Sequence, residues 1–350
     1  MTLASDKPVL VTGATGFVAG WIVKDLLDLG HTVHAAVRDP SNTQKIAHLE
    51  QLAEGSPGSI EFFAADLLQP GSYAEAMQGC SVVFHTASPF TTRVKDPQSE
   101  LIDPAVNGTR NVLETVNQTD SVERVVLTSS CAAIYTDAKD CASAPGGRLT
   151  EDIWNTTASL DYQPYSYSKV LAEREAWRIA DEQGRWDLVV INPSLVIGPA
   201  LNAVPTSESF SIIKMLADGT TRFGAPRLGM GVVDVRDVAA AHIEAARRPQ
   251  AHGRHITSGH NTDLLALGKA LQNRYGKDYP LPTRPMPKTL LWLVGPYIAG
   301  MPRRFIADNV DVEFNADNTK SREELGMSYR PLSESMNDMF AQMIEAGTFE

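Results

Sequence analysis

The stretch PVLVTGATGFVAG, residues 8–20, reads as strand, tight turn and helix start. Val9, Leu10 and Val11 form the short apolar run of a strand buried on both faces of a parallel sheet, and Thr12 and Gly13 end it abruptly. Gly13 permits a backbone turn that a side chain would block, Gly16 lets a phosphate approach the main chain, and Ala19 keeps the new helix close to its strand. The N-terminus of that helix offers free N–H groups to an anion. The spacing is G-x-x-G-x-x-A, so the commoner G-x-G-x-x-G fingerprint would miss it. Working outward, residues 21–29 form an amphipathic helix closed by Gly30, and HTVHAAVR at 31–38 a second strand. The unit has the length of a dinucleotide-binding β-α-β.

Composition narrows the classes. A chain of 350 residues suits one dinucleotide domain with a smaller appended region. Hydrophobic content of 43% and charged content of 21% exclude disorder as a main theme. A formal charge of −11 argues against nucleic acid or an anionic membrane as principal ligand, leaving a small molecule as the expected partner. Cys80, Cys131 and Cys141 show no metal-ligand spacing and read as reduced cytoplasmic thiols, and the eight histidines show no paired motif, so no metal is assigned. No signal peptide or spanning segment is expected, and the longest apolar run, 290–301, reads as core or lid. Composition leaves open a monomer or a homodimer.

The alternation continues. IEFFA at 60–64, VVFH at 82–85, VERVVLT at 122–128, LVVIN at 188–192 and RHIT at 254–257 read as further strands, with helices at 108–116 and 170–182. This predicts an α/β, Rossmann-type doubly wound parallel sheet over residues 1–197, rejoined by 232–258, with a smaller C-terminal substrate-binding region over 198–350. Ser321 and Glu324 have capping-box spacing before a helix stopped by Gly326, and Ser333 starts a terminal helix.

Tyr165 and Lys169 stand four apart at the start of a helix and therefore share a face. Lowering a tyrosine pKa by about three units takes about 4 kcal/mol. An ammonium about 4 Å away supplies that at an effective dielectric near 20. Tyr165 is then placed to protonate a carbonyl oxygen, with Lys169 also in reach of a ribose hydroxyl. Ser130, at the carboxyl end of a strand, is the favoured donor to the same carbonyl, with Ser129 a structural hydrogen-bonder; serines there also form turns. Cys131 lacks an adjacent base and is a poor nucleophile. Where an NAD-binding strand would end in a carboxylate, this one has Val37 and Arg38, and a guanidinium suits a 2′-phosphate. Lys45 adds a second cation, whereas Asp39 reads as a turn before Pro40. NADP(H) is therefore the expected cofactor.

These stretches, with VRDP (37–40), ADL (65–67), FHTASP (84–89), NGTRNVLE (107–114), LTSS (127–130), YSYSK (165–169), NPSLVIGP (192–199) and VVDVRDVAAAHI (232–243), are specific together. The chain resembles an extended short-chain dehydrogenase/reductase of the dihydroflavonol reductase, cinnamoyl-CoA reductase and microbial aldehyde/ketone reductase group. The resemblance implies Ser130, Tyr165 and Lys169 as the catalytic set, an Arg38 and Lys45 pair for NADP, and packing of residues 193–196, with Pro193 and Val196, on the nicotinamide. It further implies cofactor contacts from Thr15, Phe17, Val18, Leu67, Thr86, Ala87 and Ser88, and from Asp66 to the adenine amino group unless Asp66 merely caps a turn. Asn107 is either an orienter of active-site water or a turn residue, and His85 packs at a strand end. The expected activity is NADPH-dependent reduction of a carbonyl, reversible as an alcohol dehydrogenase. Alternatives on this fold are an NAD-dependent sugar-nucleotide epimerase or dehydratase and a hydroxysteroid dehydrogenase; a non-enzymatic dinucleotide sensor is more distant.

Residues 163–169 differ from the N-W-Y-C-Y-G-K signature of the cinnamoyl-CoA enzymes, and Tyr135 stands where dihydroflavonol reductases carry a polar residue, commonly asparagine. Both departures weigh against those named substrates. Phe90, Ala133, Phe210, Phe223 and Met230 are the expected pocket residues, suited to hydrophobic aldehydes or ketones.

Overall fold

The computed structural model describes residues 3, 6–88, 94–202, 207–298 and 300–349. The main sheet is built from β1 (Val9–Thr12), β2 (Thr32–Val37), β3 (Ser59–Ala64), β4 (Val82–His85), β5 (Arg124–Thr128) and β6 (Asp187–Pro193). A small sheet takes β7 (Leu195–Ile197) and β8 (Gly229–Asp234), β9 (Gly253–Thr257) returns to the main sheet, and β10 (His260–Asp263) joins the small one. Helices α1 (Phe17–Asp28), α2 (Thr43–Glu54) and α3 (Ala74–Met77) link β1 to β4, and α4 (Asp103–Asn117), α5 (Lys139–Ser143) and α6 (Pro164–Asp181) lie between β4 and β6. Then come α7 (Glu208–Ala217), α8 (Val235–Arg247) and α9 (Leu264–Tyr275). The chain ends with α10 (Lys288–Ile298), α11 (Arg303–Asn309), α12 (Thr319–Glu324) and α13 (Leu332–Glu345).

The seven strands of the main sheet stand in the order β3-β2-β1-β4-β5-β6-β9, every pair parallel. Alternation along β1 explains why its sequence is continuously apolar. Val9 and Val11 face one core with Ile22, Leu26 and Ile243, whereas Leu10 faces the other with Val112, Val125 and Ile179. The strand order reverses between β1 and β4, which opens a crevice at their carboxyl ends. A third core, with Leu216, Leu267, Met339 and Phe340, lies under the small sheet, where β8 pairs parallel with β7 and antiparallel with β10.

Several boundaries differ from the sequence reading. Helix α6 begins at Pro164, ahead of the 170–182 stretch but as expected for Tyr165 and Lys169 at a helix start, because proline is well suited to the first helical position and Gln163, at φ 55°, turns the chain in the left-handed region. Helix α4 starts at Asp103 after a π-helical turn, Gln98–Ile102, and runs straight through Gly108. A side chain at 108 would come within 2.4 Å of Leu67 Cγ, so the glycine serves close packing and Asn107 is a helix residue, not a turn. The Ser321 capping box is also overturned. Asn318 precedes α12, and Ser321 lies inside it with its hydroxyl on Asn318 O and Tyr329. The 290–301 run is neither plain core nor plain lid: Leu291 is buried against Ile306 and Val310, while Leu293 and Tyr297 are exposed. Among the described residues no helix is long and apolar enough to cross a membrane.

Candidate active site

Gly13 has φ +63°, and a Cβ there would sit 3.1 Å from Ala87 Cα, so the β1 turn lies directly against the end of β4. Thr12 locks the two together. Its Oγ1 accepts from Thr86 N (3.1 Å) and Ala87 N (3.0 Å), leaving its own proton for His85 Nδ1 at 3.0 Å. His85 is buried, and burial with the nearby Lys169 cation pushes its pKa down to about 3. It is a neutral packing residue. Helix α1 starts on Gly16 with no side-chain cap and no acidic residue in its first turn. Its N–H groups therefore face the crevice with no carboxylate in the helix's own first turn, which fits a pyrophosphate.

Above this turn opens a cleft of ≈ 490 Å³. It is lined by Gly13, Gly16, Phe17, Val18, Thr86 and Ser88 from one side, and by Ser130, Tyr165, Lys169, Pro193 and Val196 from the other. Ala87 and Ser88 also border a small cavity of ≈ 20 Å³, together with His85, Thr128, Ser129, Lys169 and Glu173. Thr15 sits on the β1 turn without lining the cleft. Arg38 and Lys45 lie outside it, exposed beyond β2, and neither side chain has an ion-pair or hydrogen-bond partner among the described residues. Asp39 is committed to its own turn, accepting from Ser41 N (2.9 Å) and Ser41 Oγ (2.6 Å). Asp66 likewise caps a turn, accepting from Leu68 N at 2.8 Å, and Leu67 packs on α4. Two exposed cations, Arg38 after β2 and Lys45 in the first turn of α2, with the Asp39 carboxylate held by Ser41, fit a 2′-phosphate.

The chemistry end is more tightly built. Lys169 Nζ lies 5.6 Å from the Tyr165 ring centroid and donates to Ser88 Oγ at 2.9 Å. The expected lowering of the Tyr165 pKa is not what the geometry gives. Burial of the hydroxyl raises it to about 12, a hydrogen bond with Ser130 acts the other way, and the charge of Glu208 adds to the rise. Tyr165 is 40% exposed, so solvent tempers that penalty. Lys169 is itself pushed down to about 8 by burial, partly countered by Glu173. Ser130 carries the N-cap of a short 3₁₀ turn, accepting from Ala132 N at 3.1 Å, with its proton free for other acceptors. Ser129 points the opposite way, into the protein, and donates to Glu173. Cys131 donates to Asn192 O, and burial holds its thiol far above the usual range, so it is no nucleophile.

Of the residues expected in an apolar pocket, none of the four described ones lines the cleft. Ala133 is fully buried, Phe210 packs edge-on against Phe17 at 5.5 Å, Met230 belongs to the third core, and Phe223 is 66% exposed beside Arg222. Phe90 lies outside the described residues. Asn107 accepts from Arg110 on the exposed face of α4 and does not reach the cleft. The residues that do line it beyond Tyr165 include Thr136, Ser207, Glu208 and Ser209 beside the apolar Phe17, Ala132, Leu195 and Val196, a mixed wall. Glu173 was also missed, although its position four residues after Lys169 was a visible signal.

A parallel sheet with a glycine turn at its strand-order reversal, and a Ser-Tyr-Lys cluster on the opposite bank of the same cleft, defines a dinucleotide-binding enzyme fold. Residues 9–259 match the model of the NAD dependent epimerase/dehydratase family, and the chain belongs to that family, among its extended short-chain dehydrogenases/reductases. It is 43% identical over 250 residues to cinnamoyl-CoA reductase CAD2 of Medicago truncatula, covering 71% of this chain and 74% of the relative. It is 36% identical over 341 residues to tetraketide alpha-pyrone reductase 1 of Arabidopsis thaliana, covering 97% and 96%. Among solved structures, Gre2 of Candida albicans in complex with NADPH superposes with a TM-score of 0.76 at 30% identity, covering 97% of this chain and 99% of that one.

Proposed function

We propose that the protein is an NADPH-dependent carbonyl reductase, acting reversibly on a hydrophobic aldehyde or ketone, with residues 198–350 contributing most of the substrate-binding region. The convergence of Ser130, Tyr165 and Lys169 on the cleft that begins at Gly13 and Gly16 carries this reading. The similarity to proteins named as reductases, and to Gre2 solved with NADPH, supports it.

Gly13, Gly16 and the first turn of α1 would hold the pyrophosphate, Arg38 and Lys45 the 2′-phosphate, and Pro193 and Val196 the nicotinamide side. When bound, NADPH supplies the hydride. Tyr165 then gives its hydroxyl proton to the carbonyl oxygen as charge develops there, and Ser130 donates a hydrogen bond to the same oxygen. Tyr165 needs a cation most at that moment, since proton transfer leaves a phenolate beside Lys169. The ammonium stabilises the transition state more than the resting phenol, which is the requirement for raising kcat.

The test follows NADPH and NADH oxidation in parallel against aromatic and aliphatic aldehydes, ketones and keto esters across pH. Because the Lys169 ammonium loses its proton as pH rises through about 8, kcat for reduction is expected to fall above that pH. A flat profile to pH 10 would remove Lys169 from the charged role. Arg38→Ala is expected to raise the NADPH KM roughly tenfold to a hundredfold with kcat little changed, as for a lost charged hydrogen bond. An undiminished preference for NADPH over NADH in that variant would refute the 2′-phosphate site.

A further inference from the structure

Glu173 is the most deeply enclosed carboxylate near the cleft, with its side chain 0% exposed. It accepts from Arg254 Nε at 2.6 Å, from Asn192 Nδ2 at 2.8 Å and from the Ser129 hydroxyl. These donors come from β9, β6 and the end of β5, while Glu173 itself belongs to α6. Each of the last three carries a site residue next to the contact: Ser130 beside Ser129, Pro193 beside Asn192, and Tyr165 and Lys169 on α6. Asn192 Nδ2 also donates to Ser130 O at 3.2 Å, so Glu173 and Asn192 together hold the strand end on which Ser130 turns.

We propose that Glu173 is a positioning residue of the reaction, acting through Ser129 on the Ser130 turn and through its negative charge on Lys169, one helical turn above it. The proposal rests on the reductase reading and goes beyond it by assigning a role to a residue outside the cleft. Lys169 and Glu173 border the same small cavity; Glu173 is wholly enclosed there, while the Lys169 ammonium also opens on the larger cleft. The other ionisable groups facing this pair are few. His85 from β4 is neutral, Arg254 from β9 is engaged with Glu173 itself, and Cys131 is a protonated thiol. Glu151 accepts from Ile256 N, and on the α4 side Arg110 is bound to Glu175 on the outer face of α6. Burial alone would discharge Lys169 at still lower pH, and Glu173 opposes this.

The experiment compares wild type with Glu173→Gln, which keeps the shape and removes the charge. The alkaline limb of kcat is expected to move down by about one pH unit, lowering kcat at pH 8 about fivefold, with the NADPH KM changing less. A readout independent of turnover is acetylation of Lys169 by acetic anhydride, followed by peptide mass spectrometry. At pH 7 it should quicken about fivefold in the variant. Coincident pH profiles and labelling rates would overturn the proposal while leaving wild-type NADPH turnover, and hence the reductase reading, intact. A wild type silent on every carbonyl would instead sink that reading, and labelling would still decide whether Glu173 holds charge on Lys169. Should Glu173→Gln fail to fold, Ser129→Ala, which retains the buried ion pair, decides. A several-fold lower kcat at unchanged melting temperature supports the clamp, and wild-type kcat overturns it.

Discussion

Tyr165→Phe is expected to lower kcat by about 10²–10⁴-fold, the usual worth of a positioned general acid, while NADPH binding stays close to wild type. The two expectations separate because the phenol ring and the phenol proton do different jobs. Removing the hydroxyl leaves the ring against the cleft, Lys169 on Ser88, and the glycine turn and Arg38 untouched. It deletes the group that hydrogen-bonds with Ser130, whose proton then finds only the substrate oxygen. Measured by single-turnover kinetics and by fluorescence titration of NADPH, the variant should bind and not react. Turnover within tenfold of wild type would dismiss Tyr165 as the acid.

Arg254→Ala should be the most destabilising single change near the site, by about 3–5 kcal/mol, because it leaves a buried carboxylate without its cation. Arg254 is 6% exposed. Its guanidinium bonds Glu173 at 2.6 Å, Glu151 O at 2.8 Å and Ile153 O at 2.6 Å, and stacks on Trp154 at 4.1 Å from the ring centroid. By contrast, Arg178 on α6 is half exposed and pairs with Glu175 and Glu182 at the surface, where water screens the charges and losing the guanidinium should barely move stability. Urea titrations of Arg254→Ala and Arg178→Ala against wild type make the comparison. Equal midpoints for the two variants would show that water reaches Glu173.

The central sheet was readable in the sequence because its strands are buried on both faces, which writes them as unbroken apolar runs such as VLVT and VVFH. Tyr165 and Lys169 were readable for a different reason: a fixed helical spacing brings them together whatever surrounds them. What escaped depends on distant partners. The small sheet is short, and β8 opens on Gly229 and Gly231, glycines that signal loop rather than strand; in the fold they make room for Val312 O and Ser258 Oγ. Glu173 looks in sequence like half of a surface i,i+4 pair, and only the arrival of β9 with Arg254, 81 residues later, turns it inward. The described residues of the expected apolar pocket were misplaced similarly, since hydrophobic residues near a site in sequence have no obligation to face it, and Phe210 packs on Phe17. The pKa arithmetic for Tyr165 assumed a bare pair of charges and omitted the desolvation that raises it.

Strands β6 and β7 belong to different sheets yet have only Ser194 between them. This makes residues 187–197 a ruler whose length decides which side chains reach the cleft. One inserted residue would exchange the faces on which Leu195 and Val196 lie and so disturb the cleft wall that both now help to line. The loops that follow the small sheet carry no such constraint. New specificities would thus be expected to accumulate by editing length and composition beyond Gly198, while the spacing across Ser194 is inherited unchanged.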